Sequence, residues 1–230
     1  MSKIKGIFLW DVDGTLISTQ RPLKMNLHQK VLEECGYGNI DASFETQGVT
    51  DWEIIYRFLL SAQHPVDQNE IAEILARLDI LSEEVDNETI FLAMPGVINF
   101  LKHLNSNIWN LGILTGNTKK RTLAKLEQVS MTNYFNSDYI FSCEVSEKRI
   151  DIAKRARNYA NSKNLETIVI IGDTPLDISV AREIGARVIS VATGKYSKDY
   201  LRSHKPDLLI ENVEVSSHEI LQFLSRAEIS

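Results

Sequence analysis

Two aspartates, Asp11 and Asp13, stand one residue apart at the end of the apolar run Ile7-Phe8-Leu9-Trp10, and Gly14-Thr15-Leu16 follows. A continuously hydrophobic run reads as a strand buried on both faces. The acids then lie at its carboxyl end, where open α/β sheets bind ligands, and Gly14 permits a sharp turn. Two carboxylates so close repel each other, so they call for a shared proton or a bound cation. A second acidic pair stands in Gly172-Asp173-Thr174-Pro175-Leu176-Asp177, after the apolar stretch Thr167–Ile171. Pro175 suits the first turn of a helix, and acids four apart can face one cleft; an N-cap explains one of them but not both. The apolar stretch Ile108–Leu114 runs into Thr115-Gly116-Asn117-Thr118. Its hydroxyl and the backbone N–H groups before a helix can hold a phosphate oxygen, although such a tetrad is also a good turn. Asp11, Asp13, Asp173 and Asp177 together need positive charge, and Lys148 or Arg149 in Glu147-Lys148-Arg149 can supply it; the alternative is a solvated charge run.

The elements that must position these residues follow a clear order. After the first strand, residues 17–93 show helical periodicity in Leu27–Cys35, Trp52–Ser61, Ile71–Leu81 and Glu88–Leu92, with no convincing strand. From Met94-Pro95-Gly96 onward, strands alternate with helices. Strands are expected at Ile108–Leu114, Tyr139–Cys143, Thr167–Gly172, Arg187–Val191 and Leu208–Ile210. Helices are expected at Val97–Leu104, Lys119–Val129, Ile150–Asn161, Leu176–Ile184, Asp199–Ser203 and Ser217–Ser225, the last capped by Ser216 or Ser217. This pattern specifies an α/β fold with a doubly wound parallel sheet. The expected organisation is a core of residues 1–16 and 94–230 interrupted by a helical cap at 17–93. Hinges at Leu16–Thr19 and Ala93–Gly96 would let the cap close over the strand ends and exclude water.

The chain has 230 residues, 43% hydrophobic and 24% charged, with a net charge of −6. That balance argues against nucleic acid or an acidic membrane surface as partner. Cys35 and Cys143 lack metal-ligand spacing and are expected as reduced thiols. No run approaches the roughly 20 apolar residues of a membrane span and no signal-peptide core is visible, so the cytoplasm is the expected location.

Together these segments resemble the haloacid dehalogenase superfamily, specifically its magnesium-dependent phosphatases with a helical cap after the first motif. Asp11-Val12-Asp13-Gly14-Thr15 is similar to the first motif, Thr115 in Ile113-Leu114-Thr115-Gly116-Asn117 to the second, and Gly172-Asp173-Thr174-Pro175-Leu176-Asp177 to the fourth. Val191-Ala192-Thr193-Gly194 and the segment Gly48-Val49-Thr50-Asp51 are similar to the phosphoglycolate-phosphatase-like branch. Relatives often carry Lys-Pro-x-Pro as third motif; Lys148-Arg149-Ile150-Asp151 departs from it, and either Lys148 or Arg149 could take that place, with Lys148 preferred.

The resemblance implies Asp11 as nucleophile, Asp13 as acid and base, and Thr115 and Lys148 as catalytic partners. It implies Mg²⁺ held by Asp11, the backbone carbonyl of Asp13, Asp173 and Asp177. Gly116 and Asn117 would bind phosphoryl oxygens, and Thr50 in the cap would contact substrate unless it merely caps the helix near Trp52. The implied partner is a small phosphorylated metabolite, with the protein a monomer or homodimer. Asp13 disfavours a dehalogenase. A sugar phosphomutase keeps both acids and stays open. A phospho-receiver domain is about half as long and carries its phosphorylated aspartate elsewhere. No Gly-x-Gly-x-x-Gly follows the first strand, which disfavours a nucleotide-binding module.

Overall fold

A computed structural model describes residues 6–21, 26–38, 40, 44–85, 90–104, 109–144 and 147–227. The first strand, β1 (Gly6–Trp10), is buried throughout. Side chains alternate across a strand, so Ile7 and Leu9 enter one apolar cluster and Phe8 and Trp10 the other. A chain apolar on both faces fits only the middle of a covered sheet. It lies there, in the six-stranded parallel order β5-β4-β1-β6-β7-β8, with β4 (Trp109–Thr118), β5 (Ile140–Cys143), β6 (Thr167–Gly172), β7 (Arg187–Val191) and β8 (Leu208–Ile210). The sheet grows in both directions from β1, which makes the end of β1 a topological switch point. Its neighbours β4 and β6 deliver Thr115 and Asp173 to the same edge.

The covering helices are α4 (Val97–His103), α5 (Lys119–Gln128), α6 (Arg149–Ser162), α7 (Pro175–Glu183), α8 (Lys198–Ser203) and α9 (Val213–Ala227). Between β1 and α4 stand α1 (Leu27–Glu34), α2 (Asp51–Ser61) and α3 (Gln68–Val85), the inserted helices. The expected absence of strands at 17–93 is corrected: β2 (Ile17–Arg21) and β3 (Ile90–Ala93) form an antiparallel ribbon where the chain leaves and re-enters the core. Ile90-Phe91-Leu92 of the helix expected at Glu88–Leu92 lie instead in β3, because so short an apolar run carries no period that separates helix from strand. Glu88 and Thr89 of that expectation lie outside the described residues, as does Ile108 of the expected strand at 108–114. The last helix also starts earlier than expected. Asn212 caps it, accepting from Val215 N at 3.0 Å, while Ser216 and Ser217 lie inside the helix. Ser217 returns its hydroxyl to Val213 O at 2.6 Å, a bond open to serine in a helix interior as well as at a cap. Among the described residues no helix is long and apolar enough to cross a membrane. Cys35 is an exposed free thiol and Cys143 a buried one.

Candidate active site

The carboxyl ends of β1, β4 and β6 open on a cavity of about 420 Å³ lined by Asp11, Asp13, Thr115, Gly116, Asn117, Arg149 and Asp173 from the core, and by Gly48, Val49 and Asp51 from the inserted segment. Asp11 continues β1, its N–H donating to Ile171 O at 2.9 Å. Gly14 then turns the chain at φ +83, and a Cβ there would stand 2.5 Å from the Asp173 carboxylate. Thr15 donates its hydroxyl to that carboxylate at 3.2 Å. On the β6 side, Thr174 and Asp177 form a capping box that opens α7. The Asp177 carboxylate accepts from Thr174 Oγ1 at 2.7 Å through one oxygen and from Arg149 Nη2 at 2.7 Å through the other. Capping alone therefore does not account for Asp177, because its second oxygen serves the site.

Asp11, Asp173 and Asp177, all buried, can bring carboxylate oxygens within 4.8 Å of one another. Burial pushes the Asp11 carboxyl up to about 7, Arg149 opposing and Asp177 adding to the rise. Burial and the neighbouring Asp11 and Asp177 push Asp173 up to about 8. Three buried carboxylates that present oxygen donors this close together suit a hard divalent ion such as Mg²⁺.

The sign of the linkage is fixed by these shifts. The unfolded chain ionises both acids from about pH 4, while the fold retains their protons to about 7 and about 8. The metal-free fold therefore loses stability as pH rises through that window. Melting temperatures in chelator are expected to fall from about pH 5 to about pH 8 and to level off above that, the gain on adding Mg²⁺ is expected to grow over the same range, and Asp173→Asn is expected to flatten both slopes. A metal-free melting temperature that rises with pH would contradict the assignment.

Asp13 faces elsewhere. It is half-buried, and Lys125 Nζ of α5 donates to both its oxygens, at 2.8 and 2.7 Å, while Asn117 Nδ2 donates at 2.7 Å. Burial would raise its carboxyl, but Lys125 and Asn117 hold it below the usual range. The two acids of the first turn are thus separated electrostatically, one raised and one lowered, as in sites that divide roles between carboxylates. Thr115 is buried and its hydroxyl accepts from Asn117 N at 3.3 Å and Asn117 Nδ2 at 3.0 Å.

Two expectations are corrected by the geometry. Lys148 is the N-cap residue of α6 and its side chain is exposed, whereas Arg149 is 2% exposed. Arg149 Nη2 donates to Asp11 Oδ1 at 2.7 Å, Asp177 Oδ1 at 2.7 Å and Leu114 O at 2.9 Å. One residue of helical phase decides this: the first residue inside α6 points at the sheet, and the cap residue before it does not. Thr50 does not line the cavity; its hydroxyl accepts from Glu53 N at 3.1 Å as the cap of α2 and donates to Glu147 O at 2.7 Å.

Lys125 and Arg121 were not visible as site residues. Arg121 closes the charge run Lys119-Lys120-Arg121 and Lys125 stands one turn further along α5, and only the buried face of α5 distinguishes them. Their four-residue spacing was the available signal.

Comparison with known proteins agrees with this architecture. The model of the family described as haloacid dehalogenase-like hydrolase matches residues 8–191. A phosphoglycolate phosphatase of Cereibacter sphaeroides is 24% identical over 185 residues, covering 78% of this chain and 81% of that one. One of Mesorhizobium japonicum is 23% identical over 228 residues, covering 96% and 97%. The solved structure of a hydrolase from Pseudomonas syringae superposes with a TM-score of 0.67 at 17% identity, covering 94% of this chain and 98% of that one, and shows the shared fold. With the family model spanning the sheet from β1 to β7, the chain belongs to the haloacid dehalogenase-like hydrolases, enzymes among which it is similar to the phosphoglycolate-phosphatase branch.

Proposed function

We propose that the protein is a Mg²⁺-dependent phosphatase that hydrolyses a small phosphomonoester, phosphoglycolate-like, through an aspartyl-phosphate on Asp11. The observation that carries this reading is the convergence of buried Asp11, Asp173 and Asp177, with the Arg149 guanidinium bonded to Asp11 and Asp177, beside an Asp13 whose charge is controlled separately. Asp11, Asp173, Asp177 and the backbone carbonyl of Asp13 would hold Mg²⁺, which supplies charge neutralisation for the phosphoryl group.

The Asp11 carboxylate attacks phosphorus as the ester oxygen leaves, and Asp13 gives that oxygen its proton. Asp13 then takes a proton from the water whose oxygen attacks phosphorus, releasing phosphate and restoring the Asp11 carboxylate. Lys125 and Asn117 stabilise the carboxylate that Asp13 becomes once its proton has left, the form this second step needs, and the proton taken from the water restores Asp13 for the next ester. Arg149 orients the attacking oxygen of Asp11 and offsets the charge of the transferring group. Thr115, Gly116 and Asn117 stand where phosphoryl oxygens would be received. A cavity of about 420 Å³ at the strand ends, lined also by Gly48 and Val49, supports a small metabolite as the ester.

Purified protein is expected to release phosphate from phosphoglycolate or another small phosphomonoester in Mg²⁺, and to stop in chelator. Turnover unaffected by chelator would contradict the metal assignment. Conversion that needs a bisphosphate activator and releases no phosphate would mark a phosphomutase instead.

A further inference from the structure

The inserted helices meet the core through a buried polar network that the proposed chemistry does not use. Asp51, at the start of α2, is 3% exposed, and both its oxygens are committed. Oδ2 accepts from Thr118 N of the core at 2.9 Å. Oδ1 accepts from Arg121 of α5 and bonds His28 Nε2 of α1 at 2.8 Å. Thr118 also donates its hydroxyl to Asp79 of α3. Close backbone approach accompanies this: a Cβ on Gly116 would lie 2.5 Å from Val49 O. Arg121 continues into the site, because Lys125 lies one turn further along α5 and holds Asp13, while Asn117, next to Thr118, holds it from the other side. A path therefore runs from Asp51 through Thr118 and its chain neighbour Asn117 to Asp13, with Arg121 and Lys125 one helical turn apart beside it.

We propose that Asp51 is a positioning residue: it seats the inserted helices on the core through Arg121 and Thr118, and so sets the α5 donors that hold Asp13. Its catalytic consequence rests on the phosphatase reading; the seat itself does not. A buried ion pair gives back in attraction much of what its desolvation costs, so it specifies register more than it adds affinity. The exposed pair Lys195–Glu45 also joins an inserted-segment residue to the core, and such surface pairs contribute little.

The test uses the native exposed thiol Cys35 on the inserted helices and Ser225→Cys on α9, each spin-labelled, Cys143 being buried. Asp51→Asn keeps the shape but removes the charge, Arg121→Lys keeps the charge with poorer geometry, and Glu45→Gln is the control. Asp51→Asn is expected to broaden the Cys35–225 distance distribution and to lower kcat roughly tenfold to a hundredfold with a smaller change in KM. Arg121→Lys is expected to fall between it and the parent in both, and Glu45→Gln to match the parent. A sharp, unshifted distribution in Asp51→Asn, or a broadened one with kcat within about twofold of the parent, overturns the proposal. If Asp51→Asn does not fold, Arg121→Lys decides by the same criteria. If the parent hydrolyses no ester, the phosphatase reading fails, and the distance distributions alone decide the seat.

Discussion

Asp11→Asn is expected to remove phosphatase turnover, by a factor on the order of 10⁵ or more, while leaving a folded protein. The size follows from the role. An amide at this position cannot form the acyl phosphate, and no other described carboxylate lies in the same place at the end of β1: Asp173 and Asp177 come from β6 and α7, and Asp13 is tied to Lys125. The fold survives because the substitution removes a carboxylate that burial already forces towards its protonated form. Arg149 keeps its bonds to Asp177 and Leu114 O, so the guanidinium is not orphaned. The metal-free melting temperature is therefore expected to hold or rise above about pH 7. Loss of activity together with loss of the folded far-ultraviolet dichroism would show a structural role instead.

The second large effect separates adjacent residues. Arg149→Met is expected to lower stability in chelator by about 3–5 kcal/mol, because it leaves buried carboxylates without their cation. Mg²⁺ is expected to recover part of that loss, since it binds the same acids. Turnover is expected to fall by roughly 10³. Lys148→Ala is expected to change stability by less than about 0.5 kcal/mol, as exposed substitutions do, with turnover nearly unchanged. Urea unfolding with and without Mg²⁺, alongside phosphate release, measures all of these. Equal effects of the two substitutions would contradict the placement of Arg149 in the acid cluster.

The sheet was legible because each strand ends a hydrophobic run in polar, turn-forming residues. Ile7–Trp10, Thr167–Gly172 and Arg187–Val191 all announce themselves in this way. The acids of the site were legible for the same reason: Asp11 and Asp173 are what stands directly after buried strands. The cations were not. Lys148 and Arg149 are indistinguishable by composition, and which one faces the sheet depends on where α6 begins, a boundary that propensity does not fix to one residue. Lys125 and Arg121 become site residues only through the packing of α5 against β4 and β5 and against α3 of the inserted helices. Thr50 shows the converse limit. Its position next to cavity-lining Val49 and Asp51 was readable, but its hydroxyl serves the backbone of α2 and Glu147 O. The ribbon β2–β3 escaped notice because it is short and owes its existence to the chain leaving and re-entering the core side by side, a tertiary fact.

The central claim is that phosphorus is carried on Asp11. The direct measurement is rapid acid quench during turnover with Mg²⁺ and the best ester, followed by borohydride reduction and peptide mapping by mass spectrometry. Reduction of an aspartyl phosphate leaves homoserine, so the account predicts homoserine at position 11, absent without substrate and absent in Asp11→Asn. Active turnover with no modified Asp11 at any quench time, or homoserine at position 13, 173 or 177 instead, would contradict it.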